Sequence, residues 1–131
     1  MFVDTDVFFK GKDVLMDAIL NGYKLITNTI VIYEFMSALD ERMMEERNEG
    51  RRRIYHMLKN RFFQLLRELG IEVCSTELRP EDLKLCNEIM KEKGIDIGDA
   101  IIYVFMHKRN MKKILTFDDE WRKFADIEIV R

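Results

Sequence analysis

The 131-residue chain has one proline, two cysteines, two histidines and no long apolar run. Each shortage excludes something. Cys74 and Cys86 stand in apolar settings without metal-ligand spacing. They read as buried free thiols of a cytoplasmic protein, not as a disulfide framework. His56 and His107 lie within helical stretches far in sequence from the acids discussed below. That argues against a zinc site and against a Ser/His or Cys/His triad. No run reaches the roughly 18–20 apolar residues that a membrane span needs. No basic lead with a small-residue cleavage site marks a signal peptide. A Gly-rich phosphate loop, an internal repeat and a low-complexity linker are all missing too.

Charge is abundant. Charged residues make up 35% of the chain and apolar ones 47%, with a net charge of −2. This composition and length fit one compact domain spanning residues 1–131. The small net charge hides an asymmetry. Between Arg42 and Arg67 stand eight basic and three acidic residues, a local +5 that leaves −7 for the rest. Arg51, Arg52 and Arg53 form the densest part. Such a segment either follows a phosphate backbone or is a solvated helix face screened by nearby Glu.

Short apolar runs alternate with helical patterns. Phe2-Val3, Lys24–Thr27, Ile71–Cys74, Lys113–Phe117 and Ile127–Val130 read as strands. Val14, Leu15, Ala18 and Ile19 have helical spacing, closed by Gly22. Long helices are expected over Ile30–Met44 and along the stripe Ile54, Leu58, Phe62, Leu65, Leu66, Leu69, which Gly70 ends. Pro80 opens a helix that Gly94 closes, and another covers Asp96–Lys108. Asp118–Phe124 reads as a short helical turn, and Glu45–Arg53 as a helical turn or hairpin tip. The alternation predicts an α/β fold: a short, mainly parallel sheet between two helical layers.

Ligands of open parallel sheets bind outside the carboxyl ends of the strands. That rule selects Asp4, at the end of the first strand, and Asp118, after Ile114-Leu115-Thr116. Glu34 is the only charge between Ile30 and Leu39, so it faces a partly buried place and needs a cation, a donor or a raised pKa. Asp99 opens the apolar helix Ala100–Met106. Each acid has a plainer reading as well. Glu34 could pair with a distant Arg or Lys, Asp96 and Asp99 suit a helix N-terminus, and Asp118 suits a cap before Trp121. Converging carboxylates repel, and a hard cation, Mg²⁺ or Mn²⁺, would relieve that through oxygen ligands.

Val3-Asp4-Thr5-Asp6-Val7, Thr27-Asn28 with Val31 and Glu34, Gly98-Asp99-Ala100-Ile101-Ile102 and Leu115-Thr116-Phe117-Asp118 follow one another along the chain. Together they resemble the PIN-domain ribonucleases, and most closely the small VapC-type toxins of VapBC toxin–antitoxin pairs. The resemblance implies a PIN-like fold and endonucleolytic cleavage of RNA. It implies one or two Mg²⁺ or Mn²⁺ ions held by Asp4, Glu34, Asp99 and Asp118. Thr5, Asp6 and Thr116 would support them. An antitoxin partner and a homodimer are implied as well, with no membrane association. Asp6 departs from the family's usual Asn or Ser. Trp121 replaces a usual Phe, which reads as a packing change. Two other readings stay open. Asp4-Thr5-Asp6 also resembles the first motif of haloacid-dehalogenase-type phosphatases, with Asp4 as nucleophile and Asp6 as acid/base. Alternatively, a PIN-like fold could serve as a non-catalytic interaction module.

Overall fold

The computed structural model describes residues 1–131. Five strands, β1 Phe2–Val3, β2 Ile26–Asn28, β3 Glu72–Cys74, β4 Lys113–Leu115 and β5 Glu128–Val130, form one sheet. Their order is β3-β2-β1-β4-β5, and every pairing is parallel. Six helices connect them: α1 Thr5–Lys10, α2 Lys12–Leu20, α3 Thr29–Glu45, α4 Glu49–Glu68, α5 Pro80–Lys93 and α6 Ile97–Lys108. A 3₁₀ turn covers Asp119–Lys123.

Strand side chains alternate between faces, and two cores result. Phe2 and Ile114 pack with Cys86, Ala100, Ile102, Met106 and Trp121 on the α5/α6 side. Val3 and Leu115 pack with Val7, Leu15, Phe35, Phe62 and Leu66 on the α1–α4 side. The expected three-layer α/β/α arrangement follows directly. Both cysteines are buried and free. No helix is long and apolar enough to cross a membrane.

Several boundaries differ from the sequence reading. β2 runs one to two residues later than expected, and β4 stops at Leu115. A separate helix, α1, precedes the expected one, α2, and is not marked by the apolar spacing. They meet at Gly11, where an added Cβ would lie 2.8 Å from Phe117 Cε2 and 2.9 Å from the Val7 carbonyl oxygen. Only a glycine lets α1 turn into α2 against Phe117. The polar stretch Glu45–Arg53 is the tip of a helical hairpin, with Asn48 capping α4 through the Arg51 N–H at 3.1 Å. Gly94 ends α5 in the left-handed conformation (φ 66°), where a side chain would be strained.

The apolar stripe of α4 is only half used. Phe62 and Leu66 are buried, but Ile54 and Leu58 are 53% and 44% exposed. The periodicity names the apolar face correctly. This chain covers only its C-terminal half, because a twenty-residue helix, about 30 Å long, outruns strands of two or three residues.

Candidate active site at the carboxyl rim of the sheet

Parallel strands bring their carboxyl ends to one rim, and four sequence elements deliver an acid there. Asp4 follows β1, and Glu34 lies in the second turn of α3, just after β2. Asp99 is in the first turn of α6, and Asp118 lies three residues past β4. α3 and α6 begin at this rim, so their dipoles favour negative charge at it.

Asp4 is the most enclosed of the four, with 6% of its surface exposed. Its Oδ1 accepts from the Thr5 N–H at 2.8 Å. Its Oδ2 accepts from Thr116 Oγ1 at 2.9 Å and from the Trp121 indole Nε1 at 3.2 Å. Glu34 Oε1 accepts from Thr5 Oγ1 at 3.2 Å, so Thr5 links two of the acids. Asp118 donates its backbone N–H to Thr116 Oγ1 at 3.0 Å, and its own Oδ1 caps the 3₁₀ turn through the Glu120 N–H at 2.9 Å. Asp96 Oδ1 caps α6 through the Asp99 N–H at 2.9 Å. The capping readings of Asp96 and Asp118 thus hold. The pairing of Glu34 with a distant Arg or Lys does not occur.

None of Asp4, Glu34, Asp99 and Asp118 forms an ion pair with Lys or Arg. The titration of Asp4, Glu34 and Asp99 reflects it. Burial, joined by repulsion from Asp6, raises the Asp4 carboxyl to about 6 despite three donors. Burial and the nearby Asp4 charge raise Glu34 to about 7. Burial, then Asp96, Asp4, Asp118 and Glu34, raise Asp99 to about 8. Asp99 feels all the other acids, which is the electrostatic mark of convergence. As they stand, no three side chains close on one point tightly enough to ligate an ion. The donor set itself is all oxygen, acidic and uncompensated, which is the chemistry of a hard divalent cation site.

A pH dependence follows. These three carboxyls hold protons in the folded chain that the unfolded chain, titrating near 4, has already released. Folding is therefore favoured by protonation, and stability drains away as pH rises through about 6, 7 and 8. In EDTA, the thermal midpoint should fall between pH 5 and pH 8, and saturating Mg²⁺ should flatten that fall. A midpoint that rises across this window would contradict the assigned cluster.

Asp6 is a different kind of residue. Its Oδ2 accepts from the Phe117 N–H at 3.1 Å, tying α1 to the end of β4. Burial raises its pKa. Arg51, Arg52 and Arg53 are exposed and not part of this rim. Arg51 pairs with Glu46 at 3.8 Å. Glu46 lies twelve residues beyond Glu34, about 18 Å along the helix axis at 1.5 Å per residue. Two contributors escaped the sequence reading. Asp96, taken only as a cap, adds charge to the site beside Glu34 and Asp99. Trp121, taken as packing, is a hydrogen-bond donor to Asp4. The i, i+3 spacing of Asp96 and Asp99 was the one available signal for the first. The second has no local signal, because Trp121 lies 117 residues from Asp4.

The PIN domain family profile matches residues 1–127. No protein among the curated sequences matches significantly. Several solved structures share the fold. A protein from Pyrobaculum aerophilum superposes with a TM-score of 0.66 at 19% identity, over 98% of this chain and 87% of that one. The VapBC2 structure from Rickettsia felis, bound to a DNA fragment from its promoter, gives 0.65 at 12% identity, over 98% and 96%. Mycobacterium tuberculosis VapC20, described as a sarcin-ricin loop cleaving toxin, gives 0.63 at 15% identity, over 96% and 97%. The profile spans nearly all of the sequence, and the architecture around the acidic rim agrees with it, so the chain belongs to the PIN domain family.

Proposed function

We propose that this chain is a divalent-metal-dependent endoribonuclease, hydrolysing RNA phosphodiester bonds as the cytoplasmic toxin of a toxin–antitoxin pair. The observation that carries the reading is the rim of unpaired carboxylates, with Asp4, Glu34 and Asp99 all driven toward protonation by burial and by one another. Such a cluster weakens the fold unless a cation joins it. Asp4, Glu34, Asp99 and Asp118 would hold one or two Mg²⁺ or Mn²⁺ ions. When bound, such an ion supplies an activated water and charge stabilisation for the phosphoryl oxygens and the leaving oxygen. Thr116 and Thr5 orient the carboxylates through the hydrogen bonds described. One of the carboxylates would take the proton of the attacking water. Without cations, the rim would repel an RNA backbone, so substrate binding and cleavage should both need metal.

The deciding assay incubates the purified chain with a structured RNA. Cleavage should vanish in EDTA and return with Mn²⁺ in excess. Cleavage that persists in EDTA would sink the metal reading, and none under any condition would favour the non-catalytic module. The phosphatase reading has little support: Asp6 is engaged with the Phe117 backbone, and Glu34 would have no role in it.

A VapC-type role implies an antitoxin and a homodimer. Exposed Tyr33, Ile54, Met57, Leu58 and Phe63 along α3 and α4 are apolar surface for such contacts. The arginine triplet supports RNA binding less well. Consecutive residues of a helix point about 100° apart, so Arg51, Arg52 and Arg53 cannot all follow one strand. Replacing all three with alanine should lower the slope of log K against log salt by about 0.7–1.4, the value of one or two contacts to a single strand. An unchanged slope would assign them to solvent.

A further inference from the structure

Trp121 is the only tryptophan of the chain, and it is fully buried. An indole can donate a hydrogen bond but cannot accept one. A buried N–H without an acceptor is costly, and Trp121 Nε1 meets that need on Asp4 Oδ2 at 3.2 Å. Thr116 Oγ1 reaches the same oxygen at 2.9 Å. A carboxylate oxygen offers about two acceptor directions, so both of those on Oδ2 are filled from the protein interior. Oδ1 takes one bond, from the Thr5 N–H at 2.8 Å, and keeps one direction open.

We propose that Trp121 is a positioning residue: its indole N–H and the Thr116 hydroxyl fix the Asp4 carboxylate so that Oδ1 alone is presented to a divalent ion. This rests on the metal-dependent reading of the site. The indole is held by the segment that also carries Asp118. Asp118 caps the 3₁₀ turn, donates its N–H to Thr116 Oγ1, and is followed by Trp121 packed on Phe124 at 5.4 Å between centroids. Asp4, Thr116, Asp118 and Trp121 therefore form one hydrogen-bonded unit, although the chain between the first and last is long. A phenylalanine could fill most of the same space. It could not donate to the carboxylate, and Oδ2 would then be held by the Thr116 hydroxyl alone, with one acceptor direction open to another partner. Partners that orient metal ligands from behind change ion affinity by roughly 10- to 100-fold when removed.

The arrangement has a built-in reporter. The single indole N–H gives one cross-peak in a ¹H–¹⁵N spectrum of the full chain, and its shift reads the bond to Asp4. Titration with MgCl₂ should move that peak in step with binding heat measured by calorimetry. Trp121→Phe should weaken Mg²⁺ and Mn²⁺ binding by roughly tenfold or more while still unfolding cooperatively. Cys86→Ala, which loosens the same core from α5 and bonds to nothing at Asp4, should lower the thermal midpoint and leave ion affinity unchanged. An indole peak that stays fixed at saturating Mg²⁺ would overturn the proposal, as would a Trp121→Phe affinity within twofold of wild type. If Trp121→Phe does not fold, the wild-type spectrum decides alone. Absence of any binding heat in the wild-type chain would instead remove the metal reading itself, and this inference with it.

Discussion

Asp4→Asn should reduce metal-dependent RNA cleavage by about 10³-fold or more, the scale on which a principal transition-state stabiliser is lost. Asp6→Asn should cost less than about tenfold on the same scale. The contrast comes from what each carboxylate touches. Asn at position 4 can still accept from the Thr5 N–H, but it brings no negative charge to an ion. It also sets an amide N–H₂ against the Trp121 indole N–H, donor against donor. That clash, worth roughly 1–3 kcal/mol, is partly offset because a buried, destabilised charge disappears with it. The variant should therefore fold, with a midpoint near that of wild type, and fail in activity and ion binding. Asn at position 6 keeps an oxygen for the Phe117 N–H and preserves the link between α1 and β4. Rates would be measured on one RNA at saturating Mn²⁺. If Asp6→Asn proved as damaging as Asp4→Asn, the two-aspartate chemistry of a phosphatase would regain its standing.

Phe62→Ala should destabilise the chain by about 3–5 kcal/mol, a large share of the roughly 5–15 kcal/mol typical of a folded domain. Phe62 is the anchor of α4. Its ring stacks on Phe35 at 4.0 Å and meets Phe8 edge-on at 5.1 Å, while Phe9 stacks on the Phe35 ring at 4.5 Å. Only Phe62 and Leu66 of α4 are buried, so this four-ring cluster holds a twenty-residue helix to the body. Elsewhere the hairpin is fastened by weaker means, such as the Lys59–Asp40 ion pair, whose Asp40 side chain is about half exposed. Urea unfolding followed by circular dichroism would measure the loss, and a cost under about 1 kcal/mol would refute the anchoring role. A helical signal that falls before the main transition would show the hairpin detaching first.

These two experiments also mark what could be read from sequence. Strand-end acids were legible because a parallel sheet gathers its carboxyl ends, so Asp4 and Asp118 followed from element order alone. Glu34 was legible because a lone charge in an apolar helix demands an explanation. The α1/α2 break was not: Gly11 matters through contact with Phe117, a residue far along the chain. The exposed half of the α4 stripe misled for a related reason. Period tells which face is apolar, but only the tertiary structure tells how far the covering layer extends. Trp121 was read only in part: it packs in the core as expected, but its hydrogen bond to Asp4 was missed, since packing and hydrogen bonding by an indole leave the same trace in sequence.

The central position of β1 has a consequence for the timing of folding. The strand leaves the ribosome well ahead of β4, one of its neighbours, and the Asp4–Thr116 bond spans 112 positions. At about 5–20 residues per second, that separation corresponds to on the order of ten seconds of synthesis. Throughout that interval Asp4 has neither Thr116 nor Trp121, and the sheet lacks its middle pairing. A nascent chain cannot assemble the acidic rim around Asp4 at once, because the residues that bond to it follow 112 and 117 positions later. High separation between contacting residues, which slows folding, here also delays the moment at which any chemistry becomes available.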